Sequence, residues 1–492
     1  MFFLFRGSGS GFRPLVTVAI FGLWAVLMIL LVKDQYLPGA TKPDEIFQIA
    51  ATEADDWFLI RIRGAYAGVG RSRQIRADSG WKLRDDLNIS LNLQGRIKPI
   101  QIASDAKVDE NFRLNSFHLK VTSGIVSFDQ RGHMEGRDLV LELPGLDRGG
   151  TKRIKLAEIP RISRSLGLPV PLKNLEVGDQ IRMPIFDPMD GSKSDAIINV
   201  LEQAALEISG RKVEAWRVRA SFRSLEIVLW IDGEGRLLKG VMPLGITVIR
   251  SDRSEVAREM KGMRDLPDIV SLAAVHLEGS IPEDGNSRLL RLEIQGEGSW
   301  TIPSDGFRQT FSGSELTIIK EEPPEANYSL PSHDPKMEEH LAASRFIRSD
   351  HPEIIKAAKA IVGDERDPVK AARLINDWVF QHLKKVPTPS VPDAYTILQT
   401  KQGDCNEHAV LAASLARAVG LPARIAVGLV HLGDQFYYHA WVVYWGGKNW
   451  FTGDPMMNLL PVNLSHVALL YGDVDKHVNV ISFLGRLKLK VL

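Results

Sequence analysis

Cys405 is the sole cysteine of the 492-residue chain, and it opens an Ala- and Leu-rich run that stops at Gly420. Asp404, with Glu407 three positions on, reads as a capping box, which makes Cys405 the first helical residue. Unpaired amides and the positive end of the helix dipole meet there, and both favour thiolate over thiol. The sequence therefore predicts a depressed thiol pKa. The partners for such a thiol come from the next strands. Arg424 to Val430 and Phe436 to Tyr444 have the β-branched and aromatic content of strands, and Gly446-Gly447 offers a two-residue turn into a returning strand, Trp450 to Asp454. A turn centred between the two glycines makes His439 and Asp454 direct cross-strand partners on one side of the sheet, with Cβ atoms roughly 4.5 to 5.5 Å apart. A carboxylate at that reach can hold an imidazole in one tautomer while the other ring nitrogen faces the thiol. A wider loop shifts this register.

Four blocks agree in order and spacing with a known family: Gly403-Asp404-Cys405-Asn406-Glu407-His408-Ala409, Leu415 through Arg424, His439-Ala440-Trp441-Val442, and Gly453-Asp454-Pro455. Together, residues about 340–475 resemble the papain-related transglutaminase-like superfamily. The resemblance implies Cys405 as nucleophile, His439 as general base and then acid, Asp454 as the residue that orients it, and acyl transfer through a thioester. Met456 stands where a small hydroxyl residue often follows the proline in that family. No cofactor is implied.

The remaining candidates carry plainer readings. A buried cysteine is more often a small hydrophobe than a nucleophile, and it is the constellation that argues otherwise. His408, one turn beyond Cys405, reads as a packing or supporting residue, and His431 and His466 show no partner in the sequence. Trp441 and Trp450 read as core and cleft wall. The amide of Cys405 is a natural oxyanion donor; Tyr395 and Gln399 are both open as the source of a second. His-Glu-x-x-His, Cys-x-x-Cys and P-loop patterns are absent from the sequence, so metal and nucleotide chemistry have no motif behind them.

Leu15 to Val32 is an uncharged, mostly apolar stretch spanning roughly 27 Å as a helix, close to a bilayer core. Arg6 and Arg13 precede it, and Lys33 is offset by Asp34, so the positive-inside rule leaves the N-terminus in the cytoplasm and the bulk of the chain outside. No small-residue cleavage site follows it. The expectation is a single-pass membrane protein, periplasmic in a diderm bacterium. With one cysteine it forms no internal disulfide. A formal net charge of +1 gives no reason to expect nucleic acid.

Between the apolar stretch and the cysteine the chain alternates as strands do, at Phe117, Leu119, Val121 and at Trp216, Val218, Ala220, Phe222, with turns at Ser209-Gly210 and Asp232-Gly233. The segment from Val228 to Leu238 is loosely similar to exported lipoprotein-carrier-like β domains. Lys320 to Glu325 and Pro331 to Pro335 read as a linker. Beyond it Asp367-Pro368 starts a helix with an apolar stripe at Ala372, Ile375, Val379 and Leu383.

The expected fold is α+β: a cytoplasmic stub at 1–13, a transmembrane helix at 14–33, an antiparallel β-rich half-barrel or sandwich at 45–260, a small β segment or continuation at 265–319, a linker at 320–336, and a papain-like transglutaminase-like domain at 337–492. The expected function is an anchored, extracytoplasmic cysteine enzyme acting on a protein or peptide, cell-wall peptide included, with hydrolysis as the default outcome. The alternative is a non-catalytic envelope binding or scaffold module that keeps the fold and serves an envelope protein partner.

Overall fold

The computed structural model describes residues 52–492 apart from 94, 124–125, 144–149, 157–158, 160–174, 187–192, 223–224, 234–235, 261–264, 282–286, 297–301, 323, 387–392, 474–479 and 481–485. The described chain divides into two compact units, with the boundary between Leu272 and Ala273.

The first unit is built on one fourteen-stranded antiparallel sheet. Eight strands in succession, Ala54–Ile62 through Gly150–Lys155, make one arm, and six, Gln180–Phe186 through Ile246–Ser251, make the other. The arms join where Ala54–Ile62 pairs with Ile246–Ser251. Period-two patterning produces these strands: in Gly80–Leu93 the residues Leu87, Ile89, Leu91 and Leu93 are buried, with Asn88, Ser90 and Asn92 between them. In the second arm Lys193–Ile208 approaches Ile246–Ser251, four strands away in the sheet order, so this arm is strongly coiled.

In the second unit a mixed sheet carries the helices. Its strands are β1 (Val275–Glu278), β2 (Leu289–Gln295), β3 (Gln309–Ser312), β4 (Glu315–Ile319), β5 (Ala423–Leu432), β6 (Gln435–Trp445), β7 (Trp450–Gly453), β8 (His466–Tyr471) and β9 (Lys488–Val491). They run in the order β3-β4-β2-β9-β1-β6-β5-β8, and β7 pairs with β6. Four helices precede β5: α1 (Pro352–Val362), α2 (Pro368–His382), α3 (Ala394–Thr400) and α4 (Cys405–Ala418). Helix α4 is buried from Cys405 through Arg417, packed against β5 and β6 and surrounded by the other three helices. Its small apolar side chains let all these neighbours come close, and its polar residues must then find partners inside.

One glycine shapes the edge of this sheet. A Cβ on Gly428 of β5 would lie 1.9 Å from the carbonyl oxygen of Val467, and the β5–β8 register shifts between Val427 and Gly428. The bare backbone lets β8 fold in tightly.

The fold corrects several expectations. Of the described residues 51% are strand and 19% helix, so they form a strand-dominated structure and not the expected α+β class with a single N-terminal transmembrane helix. Among the described residues no helix is long and apolar enough to cross a membrane, and residues 15–32 lie outside them. Period-two patterning dominates because most of the chain before α1 is built from alternating strands, while helical periodicity is concentrated between Pro352 and Ala418. The β-rich region is one continuous sheet instead of the two packed sheets of a sandwich. Strands β1 to β4 pair into the second sheet, through β1 with β6 and β9 and through β2 with β9, and do not continue the first.

Composition alone misreads Glu321 as part of a solvated linker. Its side chain is 6% exposed and pairs with Arg308, 2% exposed, at 3.2 Å. Burial pushes the Glu321 carboxyl up, against the Arg308 charge and two hydrogen bonds from Thr452. Arg308 also donates to the carbonyls of Asn463 at 2.6 Å and His466 at 2.8 Å. This network ties the segments around β3 and β4 to β7 and to the start of β8. Replacing Arg308 with Met strands a buried carboxylate, and Arg308→Met should cost about 3–5 kcal/mol in urea unfolding, part of it recovered in the double variant with Glu321→Gln. A loss below about 1 kcal/mol, the range of exposed pairs, would show that the pair does not hold the sheet.

Candidate active site

Helix α4 begins as its sequence dictates. The Asp404 side chain accepts from the amide of Asn406 at 3.0 Å, and Glu407 reaches back to accept from the amide of Asp404 at 2.8 Å. Gly403 makes room for that return, since a Cβ there would lie 2.3 Å from the Glu407 side chain. Cys405 is therefore the first helical residue. The Asn406 side chain accepts a hydrogen bond from the Tyr438 hydroxyl of β6 at 3.0 Å.

The helix start meets β6 at a break in its pairing. On one edge β6 pairs with β1 at Gln435 and Phe436 and with β7 from Val442 onward. In the interval, the amide of Ala440 donates to the Cys405 sulfur. That contact puts the sulfur beside the residue next in sequence to His439.

His439 and Asp454 come together by a route slightly different from the expected one. The β6–β7 hairpin pairs Trp445 with Trp450 and Val442 with Gly453, so its loop is four residues long and the register sits two positions from the one a two-residue turn gives. Because the side-chain period is two, a shift of two keeps the same face. Asp454 lies just past the end of β7, and the His439 Nε2 to Asp454 Oδ2 distance is 2.7 Å. Nε2 thus carries the proton given to the carboxylate, which leaves Nδ1 as the basic nitrogen. The other oxygen of Asp454 accepts from the amides of Met456 at 2.8 Å and Met457 at 3.0 Å.

A residue that sequence reasoning set aside completes this group. His466, at the start of β8, places Nε2 3.1 Å from the same Oδ2. Its ring lies edge-on to both His439, at 5.5 Å between centroids, and Trp441, at 5.2 Å. Cys405, His439, Asp454 and His466 are all 0% exposed. Among the described residues, the donors of His439, Asp454 and His466 lie within 4.8 Å of one another. Both Nε2 atoms contact one oxygen, and a cation could replace that arrangement only by displacing the two protons that the hydrogen bonds require.

Burial sets the electrostatics. It would raise the Asp454 carboxyl, but the electrostatic attraction and hydrogen bonds of the His439 and His466 rings outweigh it and hold Asp454 well below the usual carboxylate range. The thiol goes the other way. Burial, then the negative charges of Asp404, Glu407 and Asp454, push Cys405 well above an ordinary thiol, against the Ala440 amide. The depressed thiol expected from a helix start is therefore corrected, because capping carboxylates and desolvation counter the favourable helix end.

Of the other candidates, His408 bonds through Nδ1 to the Asp404 carbonyl at 2.6 Å and is buried inside α4. His431 packs against Phe436. Tyr395 is 37% exposed and stacks on His351, while Gln399 is exposed; no contact joins either to Cys405 as an oxyanion donor. Trp441 belongs to the core beside Val443 and Ala468. Trp450 is half-buried and flanks the Arg424 guanidinium.

Residues 355–455 match the model of the transglutaminase-like superfamily. Among solved structures, the chain is similar to a candidate cysteine protease from Cytophaga hutchinsonii, at 18% identity over 37% of this chain and 79% of that one, TM-score 0.27. It is also similar to the periplasmic domain of TgpA from Pseudomonas aeruginosa, at 18% identity over 36% and 92%, TM-score 0.23. A third likeness is to a β-barrel-like DUF1849 protein from Brucella abortus, at 10% identity over 42% and 97%, TM-score 0.31. With TM-scores below 0.5, these three likenesses carry no argument about chemistry. Comparison with curated proteins found no match.

Two buried histidines give the unit a pH signature. Burial pushes His408 and His466 each down to about 4, so below the ordinary histidine pKa of about 6.5 the unfolded chain takes up protons that the folded one does not. Stability should fall as pH drops from about 6.5 toward 4, and His408→Gln should reduce that slope by about one proton, about 1.4 kcal/mol per pH unit. Urea unfolding at several pH values measures it; equal slopes in the two proteins would contradict the assignment.

Proposed function

We propose that the transglutaminase-like segment, residues 355–455, serves a cysteine acyl-transfer enzyme in which Cys405 is the nucleophile, His439 the proton carrier and Asp454 the group that orients it. The observation that carries this reading is the pairing of His439 Nε2 with Asp454 at 2.7 Å on the strand whose next residue, Ala440, holds the Cys405 sulfur. In the forward step the thiol proton passes to His439 Nδ1 as sulfur bonds to an amide carbonyl carbon. The C–N bond then breaks, the departing amine takes the proton from His439, and an acyl thioester remains on Cys405. Water resolves it to a carboxylic acid and the free thiol; a substrate amine would instead give a new amide. Hydrolysis is the default because water is everywhere, whereas an amine acceptor needs its own site.

The substrate class in this reading is a protein or peptide amide, with cell-envelope peptides included, and the location is extracytoplasmic. Support for that location comes from the sequence alone, an apolar run from Leu15 to Val32 after Arg6 and Arg13 that reads as an export signal, and a membrane anchor is not part of the proposal.

One observation favours a second reading, a binding or scaffold module that retains the fold. Cys405 is 0% exposed and its thiol is raised by burial. The burial penalty, however, falls on a proton lost to solvent. Transfer from Cys405 to His439 leaves the net charge of the site unchanged, and the Asp454 anion next to the new imidazolium favours it.

Thiol chemistry separates the two readings. With iodoacetamide at neutral pH, Cys405 should be alkylated about 10²-fold faster in the native protein than in His439→Ala, the lower range of general-base effects. An acyl group from envelope extract should also be recoverable on Cys405 by mass spectrometry. Equal labelling of the two proteins, with no acyl adduct, would favour the binding module.

A further inference from the structure

We propose that His466 is a positioning residue of this centre: it fixes the Asp454 carboxylate for His439 and moderates its pull on that ring. The inference rests on the acyl-transfer reading of Cys405, His439 and Asp454, and deepens it. Asp454 Oδ2 receives two imidazole nitrogens, His439 Nε2 at 2.7 Å and His466 Nε2 at 3.1 Å. Since Oδ1 is already held by the amides of Met456 and Met457, the carboxylate has four donors and no freedom to rotate.

The His466 ring is itself fixed. Its Nδ1 faces the Ser465 hydroxyl at 3.3 Å, which can donate to it. Its carbonyl is held by Arg308 at 2.8 Å, and Trp441 stands edge-on to the ring. The ionisable groups around it are Asp454 just past β7, His439 of β6 and Arg308 before β3. Two of these disfavour a charge on His466, as does burial, so the ring donates as a neutral N–H. A neutral donor can share Oδ2 without repelling the imidazolium that forms on His439.

The chemical consequence concerns proton mobility. A carboxylate facing His439 alone would stabilise the imidazolium more strongly and hold the proton that must next go to the leaving amine. Sharing the oxygen with His466 spreads its charge over two N–H donors, so His439 can act first as base and then as acid. The same bond keeps Oδ2 in the line of His439 Nε2, which keeps Nδ1 directed away from the carboxylate.

The test uses the whole protein. In 15N-histidine-labelled native protein, NMR should find the proton on Nε2 in both His439 and His466 at neutral pH; His466 with Nε2 bare would overturn the proposal whatever the activity. Rates of Cys405 alkylation against pH, in variants whose melting shows them folded, give the second arm. His466→Phe keeps the bulk and loses the donor: it should label about tenfold more slowly, and the acid limb of its rate–pH profile should move up by about 0.5–1 pH unit. His466→Gln, which can offer an N–H near the same place, should return most of both effects. A folded Phe variant with the native profile, or a Gln variant no better than Phe, would overturn the proposal. If His466→Phe does not fold, the tautomer and the Gln profile decide. Failure of the acyl-transfer reading shows separately, as native labelling no faster than in His439→Ala.

Discussion

The second unit is organised around a buried anion. The carboxylate of Asp454 has no exposure, and desolvating such a group costs several kcal/mol unless its oxygens are fully engaged. Four donors engage them: two amides of the turn that follows Asp454, and the two imidazoles on β6 and β8. The donors arrive from three different segments, so the turn, the central strand and the edge strand have to be aligned before the charge is tolerable. The tight approach of β8 at Gly428 and the grip of Arg308 on the chain entering β8 are requirements of this one carboxylate as much as of the sheet.

The same enclosure gives Cys405 its character. Removal of water strengthens the pull of Asp454 on His439 and simultaneously makes a lone thiolate expensive. Those two effects have a common resolution. An anion on sulfur becomes affordable when its proton stays inside, on the ring that Asp454 already orients, because the local dipoles are in place and need no rearrangement. The amide of Ala440, available where β6 changes partners, adds a fixed donor to the sulfur. A helix start alone would not suffice here, since its cap is built from Asp404 and Glu407, and both carboxyl groups disfavour the thiolate.

Local signals in the sequence account for part of this site. Asp404 and Glu407 announce the helix start, because a capping box is a four-residue pattern and needs no tertiary information. The proximity of His439 and Asp454 is legible because a hairpin is local; the loop length was off by two residues, and an even slip preserves the face. His466 was not legible. Its partner is twelve residues upstream, and it reaches Asp454 only after β8 has paired with β5 across a register shift. Gly428, whose missing side chain permits that approach, was the one signal in the sequence, and it looks like any other glycine in a strand. Glu321 failed for a similar reason: prolines and charges around it resemble a linker, and only Arg308 and Thr452 make it interior. In the first unit, alternation revealed strands without revealing that all fourteen share one sheet, since strand order is a matter of long-range pairing that a period of two does not encode.

That long-range pairing also explains why segments distant in sequence bear on the chemistry. Strand β9, at Lys488–Val491, lies between β1 and β2, parallel to one and antiparallel to the other. On one side of it stand β2, β4 and β3, next to Arg308, Gln309 and Glu321; on the other stand β1, β6, β5 and β8, bearing His439 and His466. Gln309 makes two hydrogen bonds to the backbone of Ala468, acting as a strand edge for β8, and Glu321 accepts from both the amide and the hydroxyl of Thr452, two residues before Asp454. The group that supports the buried carboxylate is therefore joined to the group that contains it through the chain's last strand. The segment that matches the family model ends at Asp454-Pro455, yet the geometry of its charged residues depends on strands well before and after it. The candidate site residues Cys405, His439 and Asp454 can be read within about a hundred positions; the conditions that make their charges tolerable cannot.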